Sequence, residues 1–184
     1  MKTARLRLRQ WLPGDSEPFA ALNADPAVME FLGEPLPRSA SDALADRCAQ
    51  GIAERGWGVW VVERLEDQRF LGFTGLSPVG PDFPFAPAVE VAWRLARDAW
   101  GHGYATEAAQ CVLGLAFGRL QLPEVVSFTT VGNLRSAAVM QRLGMQFAGR
   151  FGHPRLPAGH PLQEHVLYRL RQENLSEKYV PHAL

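Results

Sequence analysis

The stretch VEVAWRLARDAWGHGYATE, from Val89 to Glu107, decides how this chain of 184 residues is organised. Its first part, Val89 to Leu95, is rich in β-branched and aromatic residues and lacks Gly and Pro, which predicts a strand. Gly101 and Gly103 follow, so the backbone can turn sharply and expose its amides. A helix that begins near Tyr104 directs its free N–H groups and the positive end of its dipole at this turn. Together these elements predict a site for an anion, usually a phosphate.

The composition is that of one globular domain without a strong overall charge. Hydrophobic residues make up 47% of the chain, and 19 basic residues balance 19 acidic ones. The length suits one well-cored domain, and we expect it to span residues 1–174, followed by a tail over 175–184. Because the charges balance and no run is long and apolar enough for a membrane helix, we expect neither nucleic acid nor membrane as a partner.

The two cysteines, Cys48 and Cys111, stand far apart and lack the spacing of metal ligands. Isolated cysteines without a secretion signal are typical of reduced thiols in a cytoplasmic protein. We therefore expect a cytoplasmic location and no bound metal.

The rest of the chain alternates between strand and helix patterns. Asp15 or Ser16 is expected to cap the first helix, and Ser39 or Ser41 a longer one that ends at Gly56. The predicted strands cover residues 4–9, 57–64, 69–77, 89–95, 124–130, 145–152 and 163–171, and the predicted helices 16–24, 27–32, 39–55, 104–120 and 134–143.

The glycine turn does not fit the two best-known phosphate motifs. A dinucleotide-binding fingerprint needs a third small residue where Thr106 stands, and an acidic residue at the end of the next strand, which ends instead in Thr129 and Thr130. The lysine of a phosphate-binding P-loop is also missing. Taken alone, two glycines two residues apart are equally compatible with an ordinary tight turn.

Four ordered stretches resemble the GNAT (general N-acetyltransferase) superfamily, and within it the ribosomal-protein alanine N-acetyltransferase-like (Rim-type) branch. They are WGHGYATEA (Trp100–Ala108), TARLRLR (Thr3–Arg9), NLRSAAVMQRLGM (Asn133–Met145) and EHVLY (Glu164–Tyr168). The resemblance implies an α/β (α+β) fold with a single mixed, mostly antiparallel seven-stranded sheet flanked by helices. The fourth and fifth strands are expected to splay apart.

The resemblance further implies acetyl-CoA (coenzyme A) as the acetyl donor. An N–H group near Ala92 or Trp93 is expected to polarise the thioester carbonyl, and the Gly101–Gly103 turn to hold the pyrophosphate. The residues expected to contact the donor are Val91, Ala92, Trp93, Leu95, Trp100, Gly101, His102, Gly103, Tyr104, Ala105, Thr106, Asn133, Ser136 and Arg142.

Two residues are candidates for proton transfer. Glu90 heads the predicted strand and is expected to act as base or to bind the amine; a solvated strand-end carboxylate is the alternative. Many relatives have a tyrosine acid at the position of Met140, which cannot donate a proton. Ser136 is therefore the candidate acid, and the alternative is a helical serine that hydrogen-bonds locally.

The expected reaction is direct acetyl transfer to a primary amine in a ternary complex, the acceptor being a protein N-terminus, a small amine or an amino acid. A non-catalytic acyl-CoA-binding module and a nucleotide-binding domain of another fold remain alternatives, and a homodimer is possible. The acceptor segments are expected at residues 27–37, 78–87 and 152–161, with five aromatic residues as candidate pocket walls: Phe31, Trp57, Phe83, Phe85 and Phe151.

Overall fold

The computed structural model describes residues 1–175, so that only Leu175 of the predicted tail lies within the described part. Seven strands form one sheet in the order β1-β2-β3-β4-β5-β7-β6. The strands are β1 Leu6–Arg9, β2 Val59–Arg64, β3 Phe70–Pro78, β4 Val89–Leu95, β5 Glu124–Thr130, β6 Gln146–Gly152 and β7 Glu164–Arg171. The helices are α1 Ser16–Ala24, α2 Pro26–Met29, α3 Arg38–Arg55, α4 Tyr104–Gly118 and α5 Leu134–Arg142.

The sheet confirms the predicted fold class. All neighbouring strands are antiparallel except β4 and β5, which are parallel. These two strands share a single paired position, Glu90 opposite Val126, whereas β3 and β4 pair continuously from Gly72 to Pro78. Strands β4 and β5 therefore diverge towards their C-terminal ends, as predicted, and leave a V-shaped gap in the middle of the sheet.

Helices cover both faces of the sheet. The small residues Ala108, Ala109 and Ala116 of α4 are fully buried, which lets this helix approach the sheet closely, and α5 packs on the same face. A second apolar cluster on the opposite face includes Phe19 of α1 and Phe73 of β3. The gap between β4 and β5 thus lies between two cores.

Asp15 is the N-cap residue of α1, as predicted, although its side chain does not bond a helix amide, whereas the predicted caps of α3, Ser39 or Ser41, are wrong. Helix α3 begins at Arg38 without a side-chain cap, and Ser41 is buried, where its hydroxyl accepts a hydrogen bond from Asn23 Nδ2 at 2.9 Å. The Asp15 carboxylate binds the guanidinium of Arg9, at 2.7 and 2.8 Å, instead of a helix amide. In both cases the side chain bonds a polar partner on another element instead of the helix end.

Cys48 lies in α3 and Cys111 in α4, and both are free thiols. No helix in residues 1–175 combines the length and the apolar character that a membrane crossing requires.

Candidate active site

The backbone of β4 presents its polar groups alternately to β3 and to the gap. The Ala96 N–H donates to Leu71 O at 2.8 Å, in register with the β3–β4 pairing. Hydrogen-bonding direction alternates along an antiparallel pair, so Ala92 faces β3 while Trp93 and Leu95 face the gap. Of the two amides expected to polarise the thioester, the geometry therefore leaves only that of Trp93.

The side chains of β4 also alternate between the two faces. Val91 and Leu95 are buried in the cluster that contains α4. Glu90 and Arg94 have the opposite parity and lie on the other face, where Arg94 contacts Asn23 of α1. The gap thus joins a face that carries α4 to a face that carries a carboxylate and a guanidinium.

The glycine turn forms a row of free amides. Gly101 and Gly103 have φ values of 79° and 80°, in the left-handed region. The first backbone hydrogen bond of α4 runs from the Glu107 N–H to Gly103 O, at 3.0 Å. The backbone amides from Gly101 to Thr106, including those of His102 and Ala105, have no hydrogen-bond acceptor within residues 1–175. Consecutive unpaired N–H groups at the positive end of a helix form a site for a phosphate.

Arg5, which immediately precedes β1, holds this turn in place. Its Nη1 donates to His102 O at 2.9 Å, its Nε donates to Glu107 Oε2 at 2.7 Å, and its guanidinium lies 4.7 Å from the centre of the Tyr104 ring. Thr3 Oγ1 donates to the same carboxylate at 2.6 Å. Sequence analysis missed this function because Arg5 fits the outer face of an alternating strand equally well.

We expect Arg5→Met to raise the KM for acetyl-CoA by roughly three- to tenfold, with kcat nearly unchanged. The variant releases the His102 carbonyl and the Glu107 carboxylate, and half-exposed ion pairs of this kind contribute about 1 kcal/mol. Steady-state kinetics with varied acetyl-CoA measure the effect. Arg7→Met is the control, since Arg7 lies in β1 and pairs with Glu63 instead; equal effects of the two substitutions would contradict the role of Arg5 in holding the turn.

Helix α5 begins at the other border of the gap. Asn133 caps it, because its Oδ1 accepts a hydrogen bond from the Ser136 N–H at 3.2 Å, while its Nδ2 donates to Thr129 Oγ1 of β5 at 3.0 Å. The Ser136 hydroxyl has no hydrogen-bond partner within residues 1–175 and is partly exposed. Met140 is buried in the core. Asn133 and Ser136 therefore lie at the open end of the gap.

Two further predicted residues lie beside the glycine turn. The Arg142 Nε donates to Thr106 Oγ1 at 3.3 Å, which brings the end of α5 to the start of α4. The Trp100 indole N–H donates to the carbonyl oxygen of Leu95, the last residue of β4, at 2.9 Å. The guanidinium of Arg135 lies 4.4 Å from the Trp100 ring centre and pairs with Glu30 at 3.1 Å, so this arginine connects both sides of the gap with α2.

Glu90 is a carboxylate without a partner. Within residues 1–175 it makes neither a hydrogen bond nor an ion pair, although it lies among protein atoms and keeps only a partial opening to solvent. Burial raises the pKa of Glu90 from 4.5 to about 8. A carboxyl group with a pKa near neutrality is suited to take up and release protons.

An aromatic cluster lies on the same face as Glu90. Phe128 of β5 shares this face because it is two residues beyond Val126, the partner of Glu90. The cluster contains three of the five predicted acceptor aromatics, Phe83, Phe85 and Phe151. It also contains three residues that sequence analysis did not place there: Phe128, His153 and His165. Phe31 lies instead near Arg135, and Trp57 beneath Arg55.

Among the described residues, no group of three or more His, Cys, Asp or Glu side chains could hold a metal ion. Burial lowers the pKa of His165, which keeps this histidine of the aromatic cluster neutral.

Comparison with known proteins identifies a family and several structures of the same fold. The model of the acetyltransferase (GNAT) domain family matches residues 5–146. The chain is 30% identical over 160 residues to FsC-acetyl coenzyme A-N(2)-transacetylase of Aspergillus fumigatus, with 82% of this chain and 66% of that protein covered.

Two solved structures illustrate the likeness of the fold. An acetyltransferase from Agrobacterium tumefaciens superposes with a TM-score of 0.75 at 29% identity, covering 93% of each chain. A spermidine N-acetyltransferase from Vibrio cholerae, in complex with CoA and spermine, superposes with a TM-score of 0.73 at 20% identity, covering 94% of this chain and 98% of the other. Since the family model covers most of its length, this chain belongs to the GNAT acetyltransferase family.

Proposed function

We propose that this protein transfers the acetyl group of acetyl-CoA to a primary amine by direct attack in a ternary complex, as a member of the Rim-type branch. The observation that carries the proposal is one gap in the sheet that has, at its mouth, the amides from Gly101 to Thr106 and, behind them, the carboxyl group of Glu90, all of them without a partner in residues 1–175. The amine belongs to a protein N-terminus, a small amine or an amino acid.

The residues present fit acetyl-CoA as the donor. The amides of the glycine turn would hold the pyrophosphate, with Arg142 beside them. The gap-facing backbone of Val91, Trp93 and Leu95 would bind the pantetheine amides, and Asn133 would contact the same arm from the side of β5. When bound, acetyl-CoA supplies a thioester whose carbon accepts the amine.

The two candidate side chains would transfer the protons of the reaction. The N–C bond forms as the C–S bond breaks; Glu90 takes a proton from the amine, and Ser136 gives one to the departing sulfur. A pKa of about 8 for Glu90 matches that of an α-amino group, also about 8, so this transfer is nearly balanced. Trp93 N–H would stabilise the oxygen that gains charge during the attack.

Thiol release from acetyl-CoA with a panel of primary amines and peptide N-termini, followed by mass spectrometry of the products, tests the proposal. We expect thiol release to depend on the amine and the amine to gain one acetyl group. Stabilisation by CoA without thiol release for any amine would indicate an acyl-CoA-binding module. Thermal stabilisation by NAD or ATP but not by CoA would indicate another kind of nucleotide site.

We expect Ser136→Ala to lower kcat roughly tenfold while the Kd for CoA stays the same. The thiol of the leaving group has a pKa of about 8.5, so it depends on a proton donor less than an alkoxide does, and the effect lies below the usual range for general acids. Ser136→Thr keeps the hydroxyl and is expected to retain most of the activity. An unchanged kcat in Ser136→Ala would remove this residue from the acid role.

We also propose a cytoplasmic location, which the free thiols of Cys48 and Cys111 support. Both thiols lie in helices, and burial raises the pKa of each, which disfavours the thiolate that an acetylated-cysteine relay would need. The homodimer remains a prediction that sedimentation measurements can test.

A further inference from the structure

Arg94 is a partly buried arginine whose side chain is held by two contacts on the face that carries Glu90. Its Nη1 donates to Asn23 Oδ1 at 2.5 Å, and its guanidinium lies 5.3 Å from the centre of the Phe73 ring. Asn23 is itself fully buried and bound to the hydroxyl of Ser41, which is also buried. These contacts fix one edge of the guanidinium from α1 and α3.

The other edge of the guanidinium is free. Arg94 Nε is buried and has no hydrogen-bond partner, and Nη2, which also lacks a partner in residues 1–175, stays open to solvent. Within the same residues Arg94 makes no ion pair. Burial lowers the pKa of Arg94 to about 10, and the only opposing influence is the thiol of Cys48.

A buried cation without a counter-charge is costly for a protein, and such groups are usually paired. The free edge consists of Nε and Nη2, whose parallel N–H groups match the two oxygens of a carboxylate. Nη2 is open to solvent and Nε lies buried beside it, so a carboxylate can bind at Nη2 and engages both N–H groups once a small movement of the side chain opens Nε.

The distance along β4 relates this site to the reaction. Arg94 lies four residues after Glu90 on the same face, so their Cα atoms are about 13 Å apart. Resting on the acetyl transfer proposed above, we propose that the acceptor is an amine that also carries a carboxylate several bonds away. The amine then lies at Glu90 and the carboxylate on the Nε and Nη2 of Arg94.

This arrangement disfavours polyamines. A second ammonium group at the far end of the acceptor would lie next to the Arg94 guanidinium, and two like charges in a buried site repel each other strongly. Length and charge together define the acceptor as an ω-amino acid or a short peptide with a free C-terminus.

Three matched probes test the inference: 6-aminohexanoate, hexylamine, which lacks the carboxylate, and 1,5-diaminopentane, which carries a second amine instead. Binding to the CoA-loaded protein is measured by calorimetry, and kcat/KM by thiol release. We expect 6-aminohexanoate to exceed both amines by about tenfold or more in each measurement. Arg94→Met is expected to abolish this preference, and Arg94→Lys, which keeps the charge but not the fork, to reduce it.

Arg97→Met is the control, because Arg97 is an exposed arginine whose side chain has no partner in residues 1–175; it should keep the full preference. Equal or tighter use of hexylamine or diaminopentane, a preference that survives in Arg94→Met, or no binding of any probe would overturn the inference. Binding that depends on Arg94 without acetyl transfer would refute the proposed function alone. Transfer without a preference for the carboxylate would refute the inference alone.

Discussion

Replacement of Glu90 by glutamine is expected to lower kcat by about 10²- to 10⁴-fold, the usual range for loss of a general base. The amide has the shape of the carboxyl group but cannot take a proton from the amine. CoA binding should stay the same, because the amides from Gly101 to Thr106 lie at the other end of the gap. Single-turnover kinetics and calorimetry with CoA measure the two effects separately.

The pH dependence identifies the group. Burial raises the pKa of Glu90 to about 8, so the ionised base accumulates only as the pH approaches that value. In the wild type, kcat/KM should therefore rise with pH and level off above about pH 8. Glu90→Gln should lose this rise. A wild-type profile that is flat from acidic pH to about pH 8 would contradict the role of Glu90 as the base.

The same pKa shift makes a prediction about stability. Between pH 4.5 and about 8 the folded protein keeps a proton on Glu90 that the unfolded chain has released. The free energy of unfolding therefore falls as pH rises through this window, at most by about 1.4 kcal/mol per pH unit. The contribution of Glu90 to the stability of the fold is thus largest at acidic pH. Glu90→Gln should flatten the fall when urea unfolding is compared across the window.

Glu66→Gln is a suitable control for both experiments on Glu90. Glu66 is exposed in the β2–β3 turn and has no partner within residues 1–175. Its replacement should leave the pH profile and the slope of stability unchanged. A flattened slope in this control would mean that the pH dependence of folding comes from the overall charge and not from the buried carboxylate.

The fold and the glycine turn are predictable from the sequence because their determinants are local. Residues 89–107 contain in one stretch the strand, the left-handed glycines and the helix start, and the structure places all three as expected. Asn133 is similarly readable, since an asparagine before a helix is a favourable cap and the structure shows that cap.

Residues that depend on distant partners are not predictable in this way. Arg5 meets the glycine turn only because β1 lies beside the start of α4, and Arg94 is isolated from carboxylates only because α1 and α3 cover it with Asn23 and Ser41. In the sequence, both arginines are ordinary members of alternating strands. The same reasoning explains the cap that was wrongly assigned to Ser41, whose hydroxyl is used in a buried contact instead.

Gly103→Val is expected to weaken CoA binding by at least tenfold. Gly103 has φ 80° and immediately precedes α4. A left-handed conformation costs most residues about 1–2 kcal/mol, and a β-branched residue adopts it least readily. The valine variant should therefore leave this conformation, and the amides from Gly101 to Thr106 should lose their common direction. A loss of about 1.4 kcal/mol corresponds to tenfold in Kd, which calorimetry with CoA measures.

The experiment attributes the weaker CoA binding of Gly103→Val to backbone conformation and not to lack of space for a side chain. A Cβ atom at Gly103 would have its nearest contact, Arg5 Nη2, at an ordinary 3.5 Å. Gly103→Asn adds a side chain of similar size that tolerates the left-handed region, and it should bind CoA almost normally. Gly56→Val introduces the same strain at the end of α3, where φ is 73°, so it should lower stability without changing CoA affinity. Equal weakening by valine and asparagine at Gly103 would show that any side chain there blocks the cofactor, and that the left-handed turn is not what organises the amides.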